Sequence, residues 1–352
     1  MSPNRRDFLK RATAVGAGAF VSTSIPSLVS NHVAAQAPTN PIAIASANGM
    51  QAVTKAMELI RSGVDALDAV VAGVNIVEDD PSDTSVGYGG LPNEEGVVEL
   101  DAAVMHGPTH RAGAVAALRN IKNPSKVARL VMERTDHVLI VGEGALKFAK
   151  AHGFHEEDLL TDASRRAWLK WKENLSKRDD WLPPHTPDDD DIGARYEPYF
   201  RDYGSISCSA LDQNGNLSAV VTTSGLAYKI PGRTGDLAII GAGIYADNGV
   251  GAAGSTGRGE ANLINCSCVM IVEYMRRGSS PEQACLDGCK RIVDHNELRR
   301  LKDNKGRPNF NVKFYAINKK GEFGSACIFS GGEFALHDGT SAKILPSAYL
   351  YK

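Results

Sequence analysis

Two hydroxyl side chains are the first candidates for chemistry, because a predicted β-hairpin brings them together. Residues 205–211 and 217–223 are short apolar runs on either side of an Asp-Gln-Asn-Gly-Asn segment. Asn-Gly between such runs is a strong hairpin signal. If the loop has three residues and Gly215 is left-handed, Ser205 lies opposite Thr223, whereas a two-residue loop pairs Ser205 with Ser224. Either register places two hydroxyl groups at the open end of the hairpin.

The glycine-rich and cysteine-containing segments point away from cofactor and metal chemistry. Gly-Ala-Gly-Ile-Tyr-Ala at 241–246 fits the dinucleotide-binding fingerprint and follows an apolar segment, 237–240, that is predicted as a strand. The fingerprint requires a helix next, but 247–251 is rich in turn residues, which disfavours a nucleotide-dependent oxidoreductase. The cysteines lack zinc-ligand spacing, and the sequence has no Gly-x-Ser-x-Gly nucleophile elbow. We therefore expect no cofactor and no metal.

A larger set of segments resembles the asparaginase-2 family of N-terminal nucleophile hydrolases, and especially its glycosylasparaginase branch. The resemblance covers nearly all of the chain after residue 37. The matching segments are 77–90, 100–102, 122–124, 141–145, 222–225, 232–236, 240–243 and 255–260. Their combined spacing is much more specific than any single motif. The resemblance implies an α+β fold, a four-layer αββα sandwich, made as an inactive precursor.

The resemblance also implies a nucleophile that self-cleavage releases. Family members cut their chain before a threonine, which becomes the N-terminal residue of a small subunit. By spacing to Ala-Leu-Asp at 210–212, that position is Ser205, so the predicted cleavage site is Gly204–Ser205. A hydroxyl at a chain terminus has its own α-amine beside it, with a pKa of about 7.7–8.0, which suits a base at neutral pH.

Further site residues carry over from the family by position. Thr223 matches a threonine whose hydroxyl orients the nucleophile. Arg233 matches the arginine that binds the substrate α-carboxylate, a role suited to a guanidinium. Asp236 matches the acid that holds the substrate α-ammonium. Taken alone, Arg233 and Asp236 could equally be an exposed loop pair.

Thr256 and Gly257 match the family's oxyanion hole, with roles in catalysis and in substrate binding. They come just before a helix predicted at 260–276, whose N-terminal dipole favours developing negative charge. Without the resemblance, the segment is an ordinary glycine-rich turn.

Three departures from the glycosylasparaginase branch leave the substrate open. That branch has His-Asp-Thr at the cleavage point, where this chain has Tyr-Gly-Ser at 203–205, and glycine there is more similar to plant-type asparaginases. Serine also lacks the methyl group that restricts χ1 of threonine. The branch has a substrate-contacting Trp early in the first strand, where this chain has Ser-Ala-Asn at 46–48.

Three functional hypotheses therefore remain open. The first is an exported amidohydrolase that cleaves the side-chain amide of asparagine or of N4-(β-N-acetylglucosaminyl)-L-asparagine. The second is a plant-type asparaginase or isoaspartyl peptidase that uses the same site. The third is an uncleaved, non-catalytic binding homologue. The first two imply a small-molecule substrate of the asparagine type, and the family suggests a dimer of cleaved protomers.

The elements that position these residues alternate without a regular βαβ rhythm, which favours layered α+β packing. Apolar periodicity and capping residues predict the secondary structure. Helices are expected at 50–61, 65–79, 124–135, 142–151 and 260–276, with another from 281; strands are expected at 42–47, 97–105, 112–118, 137–141, 312–317 and 324–329.

The first 37 residues are predicted to be an export signal. Asn-Arg-Arg-Asp-Phe-Leu-Lys at 4–10 resembles a twin-arginine motif, and Ala-Gln-Ala at 35–37 offers a cleavage site. The apolar stretch between them is too polar for a stable membrane span. We therefore expect a periplasmic or secreted protein with no membrane association after signal removal.

The rest of the chain is predicted to form one domain in two segments. These are a large-subunit segment at 38–204, ending in an exposed linker at about 172–204, and a small-subunit segment at 205–352. Hydrophobic residues make up 43% and charged residues 23% of the 352 residues, as in globular proteins. The net charge of −2 gives no electrostatic footprint for nucleic acid or an anionic membrane.

Overall fold

The computed structural model describes residues 40–175 and 204–352. The predicted export signal therefore lies outside the described residues, as does most of the predicted linker. Within these two ranges, no helix is long and apolar enough to cross a membrane.

Two β-sheets and eight α-helices form the described structure. The strands are β1 (Ile42–Ser46), β2 (Leu100–His106), β3 (Arg111–Leu118), β4 (Leu139–Val141), β5 (Ile206–Leu211), β6 (Leu217–Thr223), β7 (Ile244–Asp247), β8 (Gly251–Gly257), β9 (Val312–Asn318), β10 (Phe323–Phe329), β11 (Glu333–His337), β12 (Ala342–Pro346) and β13 (Ala348–Tyr351). The first sheet has the order β12-β11-β1-β5-β6-β2-β3-β4, and the second has the order β13-β10-β9-β8-β7. Neighbouring strands are mostly antiparallel, and β3–β4 and β10–β13 are parallel.

The described helices follow local sequence signals closely. They are α1 (Met50–Arg61), α2 (Ala66–Glu78), α3 (Pro124–Arg134), α4 (Gly142–Ala151), α5 (Asp162–Glu173), α6 (Gly259–Asn265), α7 (Ser267–Arg276) and α8 (Pro281–Asp294). The bounds predicted for α1 and α4 are confirmed. Asp65 caps α2 by accepting from the Leu67 amide at 2.8 Å, and Ser280 caps α8 with Pro281 in its first turn.

The first sheet is buried on both faces, and alternate residues of β2 show where each face packs. Ala102 and Val104 belong to a cluster of buried side chains shared with α1, α2, α3 and α4. Ala103 and Met105 point the opposite way, into a cluster shared with β7, β8 and β9 of the second sheet. β5 and β6 are buried at every position, although serine and threonine stand among their apolar residues.

The second sheet is likewise buried on both faces. On β9, Tyr315 and Ile317 pack toward the first sheet, while Phe314 and Ala316 belong to a cluster shared with α7 and α8. The structure is thus a mixed α and β fold with two packed sheets and helices, in agreement with the layered α+β packing predicted from the sequence.

Two local predictions were wrong. The helix predicted at 260–276 is interrupted at Cys266, whose φ of 48° is left-handed, so it divides into α6 and α7. The apolar segment 237–240 forms a turn, because its residues close hydrogen bonds such as Ile239 N to Asp236 O, at 2.9 Å, instead of pairing along a strand. The structure also has a helix for which no sequence signal was noted, α5, and Trp168 on this helix packs over Gly96.

A buried carboxyl group joins the end of α2 to the start of α3. Glu78 accepts from the Ser125 amide at 3.1 Å, the Ser125 hydroxyl at 2.8 Å and the Asn75 amide at 2.6 Å. Burial raises the pKa of Glu78 to about 7, although these hydrogen bonds act in the opposite direction. Glu78 is therefore a pH-sensitive junction between two helices.

We predict that Glu78 makes the protein less stable as the pH rises from 5 to 7. In that window the folded carboxyl retains a proton that the unfolded chain, with a pKa near 4.5, has released. Stability therefore falls toward pH 7, by up to about 1.4 kcal/mol per pH unit. Glu78→Gln removes this contribution, so the difference in unfolding free energy between wild type and variant should change steadily across urea titrations at pH 5, 6 and 7. The exposed Glu58→Gln on α1 is the control, and a pH-independent difference for Glu78→Gln would contradict the prediction.

Candidate active site

The β5–β6 hairpin has the register predicted for a three-residue loop. Ile206 pairs with Thr222 across the two strands, and Gly215 in the loop is left-handed with φ of 76°. The next pair outward is Ser205 and Thr223, as the hairpin count from the sequence requires. The alternative pairing of Ser205 with a residue after Thr223 is excluded.

The two hydroxyl groups meet beside the carbonyl of the preceding residue. Ser205 Oγ lies 3.0 Å from Thr223 Oγ1 and 2.6 Å from the Gly204 carbonyl oxygen. The Gly225 amide donates to Thr223 Oγ1 at 2.9 Å, which fixes the threonine hydroxyl. The hydroxyl of Ser205 is thus adjacent to the peptide bond that precedes it.

A hydrogen-bonded chain from β1 lies on the other side of Ser205. Ser46 Oγ is 3.4 Å from the Ser205 carbonyl oxygen and donates to Asn48 Oδ1 at 2.7 Å. Asn48 in turn donates to Asp83 Oδ2 at 3.1 Å. No sequence signal predicted this set of hydrogen bonds, because the segment 46–48 is informative only as the place where a Trp is absent.

Gly204 has no room for a side chain. A Cβ atom built on Gly204 would lie 1.9 Å from Ser85 Cβ and 2.0 Å from Ser85 Oγ. The Ser85 side chain therefore fills the space that a side chain at position 204 would need. This gives a physical reason for glycine at 204.

Asp236 is buried and held by side chains from two elements. Its Oδ2 accepts from Ser255 Oγ on β8 and from Asn262 Nδ2 on α6, each at 2.6 Å. Burial raises the pKa of Asp236, and these hydrogen bonds and Arg233 offset only part of that effect. Asp236 is the acidic side chain of the pocket lining.

Arg233 faces the same space and pairs with Glu260. Its Nε and Nη2 atoms lie 2.9 Å and 2.7 Å from Glu260 Oε1. Burial alone would raise the pKa of Glu260, but the charge and hydrogen bond of Arg233, a backbone hydrogen bond and the charge of Arg258 together lower the pKa overall. Glu260 stands within the segment 255–260, yet the sequence analysis attached no role to it.

A second buried pair lies beneath the turn that follows Thr223. Lys229 Nζ donates to the carbonyl oxygen of Ser224 at 3.1 Å and to that of Glu99 at 3.0 Å. Burial lowers the pKa of Lys229, and the Asp101 carboxylate opposes that effect. Asp101 lies within a matching segment, whereas Lys229 falls between two of them and was missed.

Thr256 and Gly257 have different surroundings. The Thr256 hydroxyl is buried and lies 2.9 Å from the Tyr315 hydroxyl. Gly257 has φ of 110°, and a Cβ atom there would lie 2.5 Å from the Asn311 carbonyl oxygen, so glycine is required. Gly257 reaches the pocket described next, but Thr256 is not part of its lining.

Several of the residues described above line one pocket of about 280 Å³ that is partly open to solvent. The lining consists of Gly204, Ser205, Thr223, Gly225, Leu226, Arg233, Gly235, Asp236, Leu237, Gly257 and Gly259. The pocket combines a hydroxyl pair with one cationic and one anionic side chain, which suits a small zwitterion with a reactive carbonyl. Among residues 40–175 and 204–352, no group of three or more His, Cys, Asp or Glu side chains could hold a metal ion.

Comparison with known proteins agrees with this combination of fold and pocket. The sequence model of the family described as "Asparaginase" matches residues 26–300. The chain therefore belongs to this asparaginase family, and it is an amidohydrolase.

Named relatives include two activities. The chain is 40% identical over 343 residues to an N(4)-(β-N-acetylglucosaminyl)-L-asparaginase of Elizabethkingia miricola, covering 96% of this chain and 93% of the relative. It is 37% identical to the rat enzyme of the same name, covering 76% and 78%. It is 41% identical to an isoaspartyl peptidase/L-asparaginase of Xenopus laevis, covering 66% and 71%.

The contact between Gly204 and Ser85 predicts a specific coupling in stability. All variants carry Ser205→Ala, so that the predicted self-cleavage cannot affect the measurement. In this background, Gly204→Ala should lower the unfolding free energy by about 1–3 kcal/mol, because the new methyl group overlaps Ser85. Adding Ser85→Gly should recover much of that loss, since the nearest remaining atom, the Cα of residue 85, is 3.4 Å away. A double-mutant cycle by urea unfolding measures the coupling.

Gly144→Ala on α4 is the matched control for this cycle. It meets only Ile140 at 3.6 Å and should be neutral or stabilising. Additive effects of the substitutions at 204 and 85 would show that the two positions do not compete for the same space.

Proposed function

We propose that this amidohydrolase cleaves the side-chain amide of asparagine or of an N4-substituted asparagine, through an ester on Ser205 that becomes available after self-cleavage. One observation carries the proposal: Ser205 Oγ lies 2.6 Å from the Gly204 carbonyl oxygen, at a pocket that Arg233 and Asp236 also line. We further propose that the two sheets and their helices form the four-layer αββα sandwich that the family resemblance implies.

Self-cleavage would proceed by a shift of the peptide carbonyl from nitrogen to oxygen. Ser205 Oγ attacks the Gly204 carbonyl carbon, the C–N bond breaks, and the released nitrogen takes a proton to become the α-amine of Ser205. Water then hydrolyses the ester, which leaves a carboxylate on Gly204 and restores the Ser205 hydroxyl. The neighbouring Thr223 hydroxyl, 3.0 Å away, orients Oγ for both reactions.

Substrate hydrolysis would use the same hydroxyl with its new α-amine as base. Oγ attacks the side-chain amide carbon, and the proton that the amine accepts passes to the leaving nitrogen. Water then cleaves the aspartyl ester and releases aspartate. Arg233 binds the α-carboxylate, Asp236 binds the α-ammonium, and Thr256 and Gly257 stabilise the oxyanion, with Gly257 as the member that lines the pocket.

An isoaspartyl peptidase activity at this site is the second candidate. It is supported by the Xenopus laevis relative at 41% identity. It is also supported by Gly204, which has no room for a side chain, because glycine at this position is more similar to plant-type asparaginases. The non-catalytic hypothesis is wrong, because the family and the named relatives identify the chain as an amidohydrolase. We also propose export by the twin-arginine route to the periplasm or outside the cell, and a dimer of cleaved protomers.

Self-cleavage predicts two fragments on a denaturing gel. The small fragment should begin at Ser205 and contain 148 residues, and N-terminal sequencing identifies it. Ser205→Ala removes the attacking oxygen and should leave one intact, inactive chain. Ser209 is a buried serine on β5, four residues after Ser205. Ser209→Ala is the control and should be cleaved normally. A full-length wild-type chain that still hydrolyses asparagine would refute the mechanism.

The leaving-group side of the pocket predicts relaxed selectivity. Ala47 directly follows Ser46, which lies beside Ser205, and its methyl group offers little stacking surface. Asparagine and other N4-substituted asparagines should therefore compete well with the glycosylated substrate. The test compares kcat/KM for N-acetylglucosaminyl-asparagine, L-asparagine and β-aspartyl dipeptides on one cleaved preparation. A thousandfold preference for the sugar substrate would contradict this prediction, and would show that other residues replace the contact made by the Trp of the glycosylasparaginase branch.

A further inference from the structure

Glu260 occupies one edge of the guanidinium group proposed to bind substrate. A guanidinium offers a carboxylate two forked edges, one formed by Nε and Nη2 and the other by Nη1 and Nη2. Glu260 Oε1 lies 2.9 Å from Nε and 2.7 Å from Nη2 of Arg233. The first edge is therefore already taken by a residue of the protein.

Three glycines leave the second edge uncovered. Cβ atoms built on Gly225 and Gly235 would lie 3.4 Å and 3.2 Å from Arg233 Nη1, and one on Gly259 would lie 3.1 Å from Nη2. All three glycines line the pocket. A side chain at any of these positions would crowd the Nη1–Nη2 edge, so this edge is the one that faces the pocket.

A single oxygen of Glu260 maintains the arrangement. Its other oxygen, Oε2, is buried and has no hydrogen-bond partner among the residues that the structure describes. The Arg233 side chain is 17% exposed, so water screens the ion pair only in part. The contact through Oε1 thus sets the orientation of the guanidinium.

We propose that Glu260 is a positioning residue that holds the Nε–Nη2 edge of Arg233, so that the Nη1–Nη2 edge receives the α-carboxylate of the aspartyl substrate. The proposal rests on the substrate-binding role proposed above for Arg233. Because Glu260 already neutralises the guanidinium, the site selects the α-carboxylate through the geometry of the fork more than through net charge. Preorganisation of a long, flexible side chain lowers the cost of binding.

Competitive inhibition of asparagine hydrolysis tests the proposal. L-aspartate carries the α-carboxylate, and β-alanine is the same molecule without it. Glu260→Ala should raise the inhibition constant of L-aspartate about tenfold, leave that of β-alanine within about twofold, and raise KM for asparagine more than it lowers kcat. Glu260→Gln retains an oxygen acceptor for Arg233 and should keep L-aspartate inhibition within about threefold of wild type.

A second variant keeps the test independent of whether Glu260→Ala folds. Gly235→Ala places a methyl group against Nη1 of Arg233. It should weaken inhibition by L-aspartate and leave inhibition by β-alanine unchanged. Glu282→Ala, an exposed glutamate in the first turn of α8, is the matched control and should change neither constant. The fraction of cleaved chain is measured for every variant on the same gel.

Arg233→Ala distinguishes a failure of the Glu260 proposal from a failure of the proposed function. It should abolish the preference for L-aspartate over β-alanine. Suppose that Arg233→Ala abolishes this preference. If Glu260→Ala then keeps the preference, or weakens inhibition by both compounds equally, the role of Glu260 is overturned and the proposed function stands. If wild type does not hydrolyse asparagine, or Arg233→Ala keeps the preference, the proposed function falls and the role of Glu260 falls with it.

Discussion

The antiparallel pairing of β5 with β6 is the constraint on which the site depends. Both strands are buried along their whole length and lie in the middle of the first sheet, between β1 and β2. A slip of one residue would exchange the side chains between the two faces, at a large cost in packing, because the helices cover one face and the second sheet covers the other. The register that places Ser205 opposite Thr223 is therefore fixed by the core of the molecule as well as by the local turn.

Buried charges around the pocket are matched by groups of opposite charge or by hydrogen-bond donors. Arg233 faces Glu260, Lys229 is stabilised by Asp101, and Asp236 accepts from two neutral side chains. An unmatched buried charge is strongly destabilising, so these pairs tie the loop at 232–236 to the sheet and to α6. The same pairs set which atoms remain free to bind a ligand.

Close packing explains the residue that precedes Ser205. The glycine at 204 and the serine at 85 share one small volume, because a side chain at 204 would overlap the serine. The Ser85 carbonyl oxygen also accepts from the Ser224 amide at 2.8 Å, so the glycine-rich loop after α2 is attached to the end of β6. A chain with a larger residue at position 204 would need a different loop here.

The sequence by itself determined the elements whose signals are local. The capped helices and the β5–β6 register, which sets Ser205 opposite Thr223, follow from periodicity and turn residues, whereas Arg233 and Asp236 were identified only by their positions in the family resemblance. Tertiary structure alone decided the break at Cys266, the contact of the Thr256 hydroxyl with Tyr315, the filling of space beside Gly204, and the pairing of Glu260 with Arg233. These features depend on which side chains meet when two sheets and their helices pack. Residues 27 to 119 positions apart then come into contact, and no local pattern in the chain encodes such contacts.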